Sequence, residues 1–166
     1  MSDIKRGEPM NYNFSQDLED GTKAEKRVAE LFQTKCKQIV SVDYNHDYKY
    51  DLRLTLDDSR SFTVEVKCDY LLQRTGNFAI ETKCRGKASG INVTQADFFV
   101  IYTSGPEHAY TFKTDHLRKL AADPKYRTVS GGDRNKQGED TTEMVLIPKC
   151  LTSNYRDITE MEEIDL

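Results

Sequence analysis

The sequence predicts one α/β domain in which a mixed β-sheet is flanked by helices. Three observations carry that expectation: a helical pattern near the start, a run of alternating strands after it, and an unbroken apolar stretch in mid-chain. From Gly21, Ala24, Val28, Leu31 and Phe32 recur at helical spacing and fill an arc of about 100°. Residues 38–43 read as a short strand, followed by an Asn45-His46-Asp47 turn. Tyr48, Tyr50, Leu52, Leu54 and Leu56 then alternate with polar residues, and Phe62, Val64 and Val66 alternate with Thr63, Glu65 and Lys67. Asp57-Asp58-Ser59 between them is turn chemistry, so the two runs form a hairpin with one apolar face.

The rest of the chain is read in the same way. Residues 68–76 read as a loop or short helix closing at Gly76, residues 77–84 as a strand, and residues 85–90 as a basic turn containing glycine. A short helical segment around Thr94-Gln95-Ala96 precedes Phe98-Phe99-Val100-Ile101-Tyr102, a strand covered on both faces. Ala109 to Phe112 is a further strand, and Thr114 is placed to cap a helix ending at Pro124. Residues 130–141 read as a polar loop and Met144 to Ile147 as the last strand. In domain terms, residues 1–14 are expected to be a mobile arm, 15–156 the domain, and 157–166 an acidic, solvated tail.

Composition narrows the class. A chain of 166 residues with 37% hydrophobic and 31% charged residues suits one soluble domain with a real core. No apolar run reaches the length of a membrane span, and the start does not resemble a signal peptide. Four scattered cysteines, without a CxxC pair, point to reduced thiols and a cytoplasmic setting. The net charge of −4 hides a division: residues 67–136 hold 12 Lys and Arg against 7 Asp and Glu, whereas residues 137–166 hold 2 against 8. The overall sign therefore does not exclude nucleic acid as a partner.

The hairpin register brings chemistry together. Opposed residues of an antiparallel pair share a face, so apolar must meet apolar, which sets Leu54 against Phe62 and Leu52 against Val64. Asp51 then falls opposite Glu65, with Lys67 further along the same face, a candidate site for a hard divalent cation. The triplet Asp/Glu-x-Lys occurs five times in the chain and means nothing alone. Only Glu65-x-Lys67 stands on a strand with an aspartate opposite; Glu81-x-Lys83, also on a strand, is its rival. Glu25 lies on the rim of the first helix's apolar stripe, from which it can reach inward or simply pair with a surface lysine.

In that order, Glu25, Asp51 and Glu65-x-Lys67 resemble the PD-(D/E)XK nuclease superfamily, over roughly residues 21–102. Gly21-x-x-x-Glu25 is similar to the corresponding segment of its Holliday-junction resolvases, and Gln95 stands where many members carry a helper glutamine. Tyr50 departs from the motif's proline, and the strand 77–84 is an elaboration. The resemblance implies a restriction-endonuclease-like fold and a Mg²⁺- or Mn²⁺-dependent DNA endonuclease, with preference for branched DNA and a homodimeric form. It also implies that Asp51, Glu65 and the Val66 backbone carbonyl hold the metal, and that Glu25 acts through water or a second ion. Lys67 would orient the attacking water or stabilise developing charge, with Glu81 and Gln95 as auxiliaries. Arg74, Lys83, Arg85 and Lys87, around one strand and its turn, and Arg134 and Lys136 are the candidate phosphate contacts. A binding module without catalysis, or a ribonuclease, is the alternative reading of the same residues.

Overall fold

The computed structural model describes residues 14–166 apart from residue 46, so the expected N-terminal arm, up to residue 13, and His46 lie outside the described residues. The elements are α1 (Phe14–Lys35), β1 (Ile39–Tyr44), β2 (Leu52–Leu56), β3 (Ser61–Cys68), α2 (Leu72–Thr75), β4 (Asn77–Cys84) and β5 (Lys87–Ala88). After a 3-10 turn at Gly90–Asn92 come β6 (Phe98–Ser104), β7 (Glu107–Lys113), α3 (Thr114–Ala122), β8 (Arg127–Arg134), β9 (Asp140–Pro148) and β10 (Arg156–Asp157).

Two sheets form. The six-stranded sheet runs β1-β2-β3-β6-β7-β10, and the four-stranded sheet runs β5-β4-β9-β8. In the larger sheet only β3 and β6 pair in parallel, which makes it mixed. This is the expected α/β architecture, a mixed central sheet flanked by helices. The hairpin register is also as expected, Leu52 against Val64 and Leu54 against Phe62.

The central sheet is buried on both faces. On one side Ala24, Val28 and Phe32 of α1 pack on Leu52, Leu54, Val64, Val66 and Val100. On the other, Phe99, Ile101, Tyr110 and Phe112 meet Phe78, Ile80, Val145 and Ile147 of the smaller sheet and Leu117 of α3. Burying each such side chain contributes about 1.5–3 kcal/mol, so these two interfaces hold the layers together.

Several expectations need correction. Helix α1 begins at Phe14, a full two turns before Gly21; its first turns carry no apolar stripe to reveal them in the sequence. The segment 94–97 is not helical: the Gln95 and Asp97 N–H groups donate to the Lys49 and Thr63 carbonyls, and the helical turn lies earlier, at Gly90–Asn92. Thr114 is the first residue of α3 and makes no side-chain cap bond. Residues 130–141 belong largely to the β8–β9 hairpin, whose polar, glycine-containing strands have no apolar alternation to reveal them. Residues 157–166 are not a solvated tail. Asp157 pairs with Tyr110, and Ile158 and Ile164 are buried in the α1 core.

Candidate active site

Asp51 stands one residue before β2, where its N–H still donates to the Val64 carbonyl. Its carboxylate accepts the Val66 N–H at 2.7 Å, so the end of β2 is closed by a side chain instead of a further ladder bond. Glu65, in the middle of β3, is only 7% exposed. One of its oxygens meets Lys67 Nζ at 2.8 Å, and the other accepts the Thr94 hydroxyl at 3.2 Å. β-strand alternation places Glu65 and Lys67 on the same face.

The electrostatics are those of a crowded carboxylate pair. Burial, then the nearby Glu65 charge, pushes the Asp51 carboxyl up; the Val66 N–H and Lys67 oppose the shift without cancelling it. Burial would lower the Lys67 ammonium, but the Glu65 charge and hydrogen bond, with Asp51 and Glu81, raise it. Two carboxylates thus share one half-exposed ammonium, a local excess of negative charge that a cation would relieve.

The loop leading to β6 braces this group, and sequence reasoning missed its main parts. The Thr94 hydroxyl also lies 3.2 Å from the Lys49 carbonyl. Arg118 of α3 donates to the Ile91 and Thr94 carbonyls at 3.1 and 2.9 Å and to Asp115 at 2.7 Å. Gly90, at φ +53°, lies so close to β4 that a Cβ there would collide with the Glu81 carbonyl oxygen. No local pattern marks these residues, since their partners are distant in sequence.

The other expected residues divide. Glu81 lies close enough to add to the field on Lys67. Gln95 is exposed and lines a cavity of about 640 Å³ with Thr94, Lys113 and Arg118. Glu25 is half-buried on α1 and acts on the Tyr44 phenol, while the charges bearing on Asp51 are Glu65 and Lys67. Tyr44 pairs with Leu52, so Glu25 stands at the same end of the sheet as Asp51. Lys83, Arg85, Lys87, Arg134 and Lys136 gather at one end of the smaller sheet, because Cys84 pairs with Thr142 and Arg134 with Asp140. Arg74 precedes Asn77, at the opposite end of β4, and does not join them.

Outside this site, His108, Asp157 and Glu160 offer ligand atoms within 4.8 Å of one another. Asp157 is already engaged there: it meets His108 at 2.6 Å and accepts the Ala109 N–H, the Thr159 N–H and the Thr159 hydroxyl. That network pins β10 to β7. Among the described residues no helix is long and apolar enough to cross a membrane.

No protein-family model matches the chain, and no curated protein matches it. Among solved structures, that of the bacterial homing endonuclease I-Ssp6803I aligns with a TM-score of 0.46 and 20% identity, over 65% of this chain and 74% of that chain.

Proposed function

We propose that the protein is a metal-dependent phosphodiesterase that cuts DNA internally, with Asp51, Glu65 and Lys67 at its centre. One observation carries the reading: buried Glu65 and half-buried Asp51, brought together by the β2–β3 hairpin, have a single ammonium between them, paired with Glu65 and acting on Asp51. An all-oxygen donor set with excess negative charge fits Mg²⁺ or Mn²⁺. Asp51 and Glu65 would hold the ion. The Val66 carbonyl is a third donor, because a strand residue's N–H and C=O point to the same side and the Val66 N–H points to Asp51.

Bound there, the metal would supply a water of lowered pKa and neutralise phosphate charge. The chain's own groups do the rest. Lys67, kept cationic by Glu65, donates hydrogen bonds to the oxygens on which charge develops. Thr94 fixes one Glu65 oxygen, so the carboxylate meets its ligand already oriented. Glu81 adjusts the field around Lys67, and Glu25, across the sheet end, is the place for a water-mediated contact.

The test is cleavage of linear duplex, single-stranded, four-way-junction, flap and matched RNA substrates with Mg²⁺, Mn²⁺ or EDTA. Metal-dependent cutting that Glu65→Ala and Lys67→Ala each reduce by about 100-fold or more is expected. DNA that is bound in EDTA but stays uncut with Mg²⁺ and Mn²⁺ as well would instead identify a binding module.

A further inference from the structure

The smaller sheet ends in two turns beside each other, and in one of them a residue does not follow the chemistry that a purely structural turn would choose. Strands β4 and β5 are joined by only Arg85 and Gly86, since Cys84 pairs with Lys87. Both have positive φ, 51° and 75°. A two-residue loop with both residues left-handed is the I′ turn, which favours Asn or Asp followed by Gly. Arginine there carries a conformational cost that asparagine or glycine largely avoids. The Arg85 N–H donates to the Thr141 carbonyl at 2.7 Å, tying this turn to the β8–β9 hairpin.

The charges at this end are only partly matched. Lys83 pairs with Glu143 and Arg134 with Asp140, both at 3.4 Å. Among the described residues Arg85, Lys87 and Lys136 make no ion pair, and all three side chains are exposed. The same strand leads to the candidate active site, because Glu81 acts on Lys67. Four residue steps separate Glu81 from Arg85, at most about 13 Å, and the bulge between Glu81 and Lys83 shortens that span. Along a duplex this is at most about four base pairs.

We infer that this paired-turn end of the four-stranded sheet, with Arg85 at its apex, docks on the phosphate backbone of duplex DNA, within a few base pairs of the bond to be cut. The inference rests on the nuclease reading for its partner, while its own basis is the strained arginine and the unmatched charges. A β-ribbon of this width also fits the major groove, so the turns can follow the backbone along its edge.

The test uses the full chain in EDTA, where binding is separated from cleavage. Anisotropy of a labelled duplex is followed between about 50 and 200 mM salt, with melting temperatures measured in parallel. Arg85→Asn is expected to raise the melting temperature yet weaken binding several-fold at low salt, lowering the log–log salt slope by about 0.9. Arg74→Ala, at the far end of β4, is expected to change neither. A melting temperature that falls in Arg85→Asn, or one that rises while binding and slope stay unchanged, would overturn the inference, leaving the nuclease reading in place. Wild-type protein that binds no duplex at low salt would overturn the inference, the nuclease reading being decided separately by cleavage with metal, and tighter binding of single strand than duplex would overturn the choice of partner.

Discussion

At the residue scale, Asp51 is where stability and function oppose each other. Burial and the Glu65 charge favour its neutral form in the folded protein. A carboxyl whose folded pKa is raised contributes stability that is fully present below the unfolded value and is lost as pH rises through the folded one. Asp51→Asn keeps an oxygen for the Val66 N–H and removes the charge. It should therefore resist urea better than wild type near neutral pH and flatten that pH dependence, while losing Mn²⁺ affinity by about 100-fold or more, as titration calorimetry would show. Equal urea midpoints would refute the electrostatic account. Thr94 makes a gentler test, because it is 4% exposed and valine has nearly its shape. Thr94→Val removes the donor to Glu65 and is expected to weaken Mn²⁺ binding about tenfold, with Thr94→Ser restoring it. Unchanged affinity would mean that Glu65 needs no brace.

At the element scale, the loop between β5 and β6 does most to define the site. It crosses β4 at Gly90, returns to Lys49 through Thr94 and Gln95, and is held from outside by Arg118. Gly90 is required twice, by its positive φ and by the nearness of the Glu81 backbone. Gly90→Ala is expected to cost about 2 kcal/mol or more in chemical denaturation, and to disturb the site through β4. A stable variant with intact metal binding would show that the loop can move away without consequence. The same loop shows the limit of local reading. Thr94-Gln95-Ala96 suggested a helix, but the Gln95 N–H is taken by Lys49, in the loop before β2, and the Asp97 N–H that follows by Thr63 on β3.

At the scale of the whole molecule, the C-terminal segment closes the α1 side of the structure. Lys35 Nζ donates to the Thr159 and Met161 carbonyls at 2.6 and 2.7 Å, and the Ile164 N–H donates to the Lys35 carbonyl at 2.8 Å. Ile158 and Ile164 fill the same core as Val28 and Phe32. Ile164→Ala is expected to destabilise the fold by about 2–4 kcal/mol, measured as a shift in urea midpoint at constant slope. A change below about 0.5 kcal/mol would be the result for a dispensable tail.

The sequence by itself determined the central hairpin. Strict alternation and a three-residue turn admit a register in which apolar residues oppose one another, and that register places Asp51 beside Glu65. It also set Glu65-x-Lys67 apart from the other four Asp/Glu-x-Lys triplets, because only there does the register put an aspartate opposite a strand-borne glutamate. Tertiary structure alone decided what surrounds that pair. Thr94 reaches Glu65 across 29 positions and Arg118 reaches Thr94 across 24, and a single side-chain bond at such separation leaves no periodic trace. It also moved Arg74 away from Lys83 and brought Arg134 to it, since neighbours along the chain are parted by the length of a strand while antiparallel pairing joins distant ones. The acidic composition of residues 157–166 concealed two buried isoleucines for the same reason: periodicity reports a face that repeats, and two anchors do not repeat.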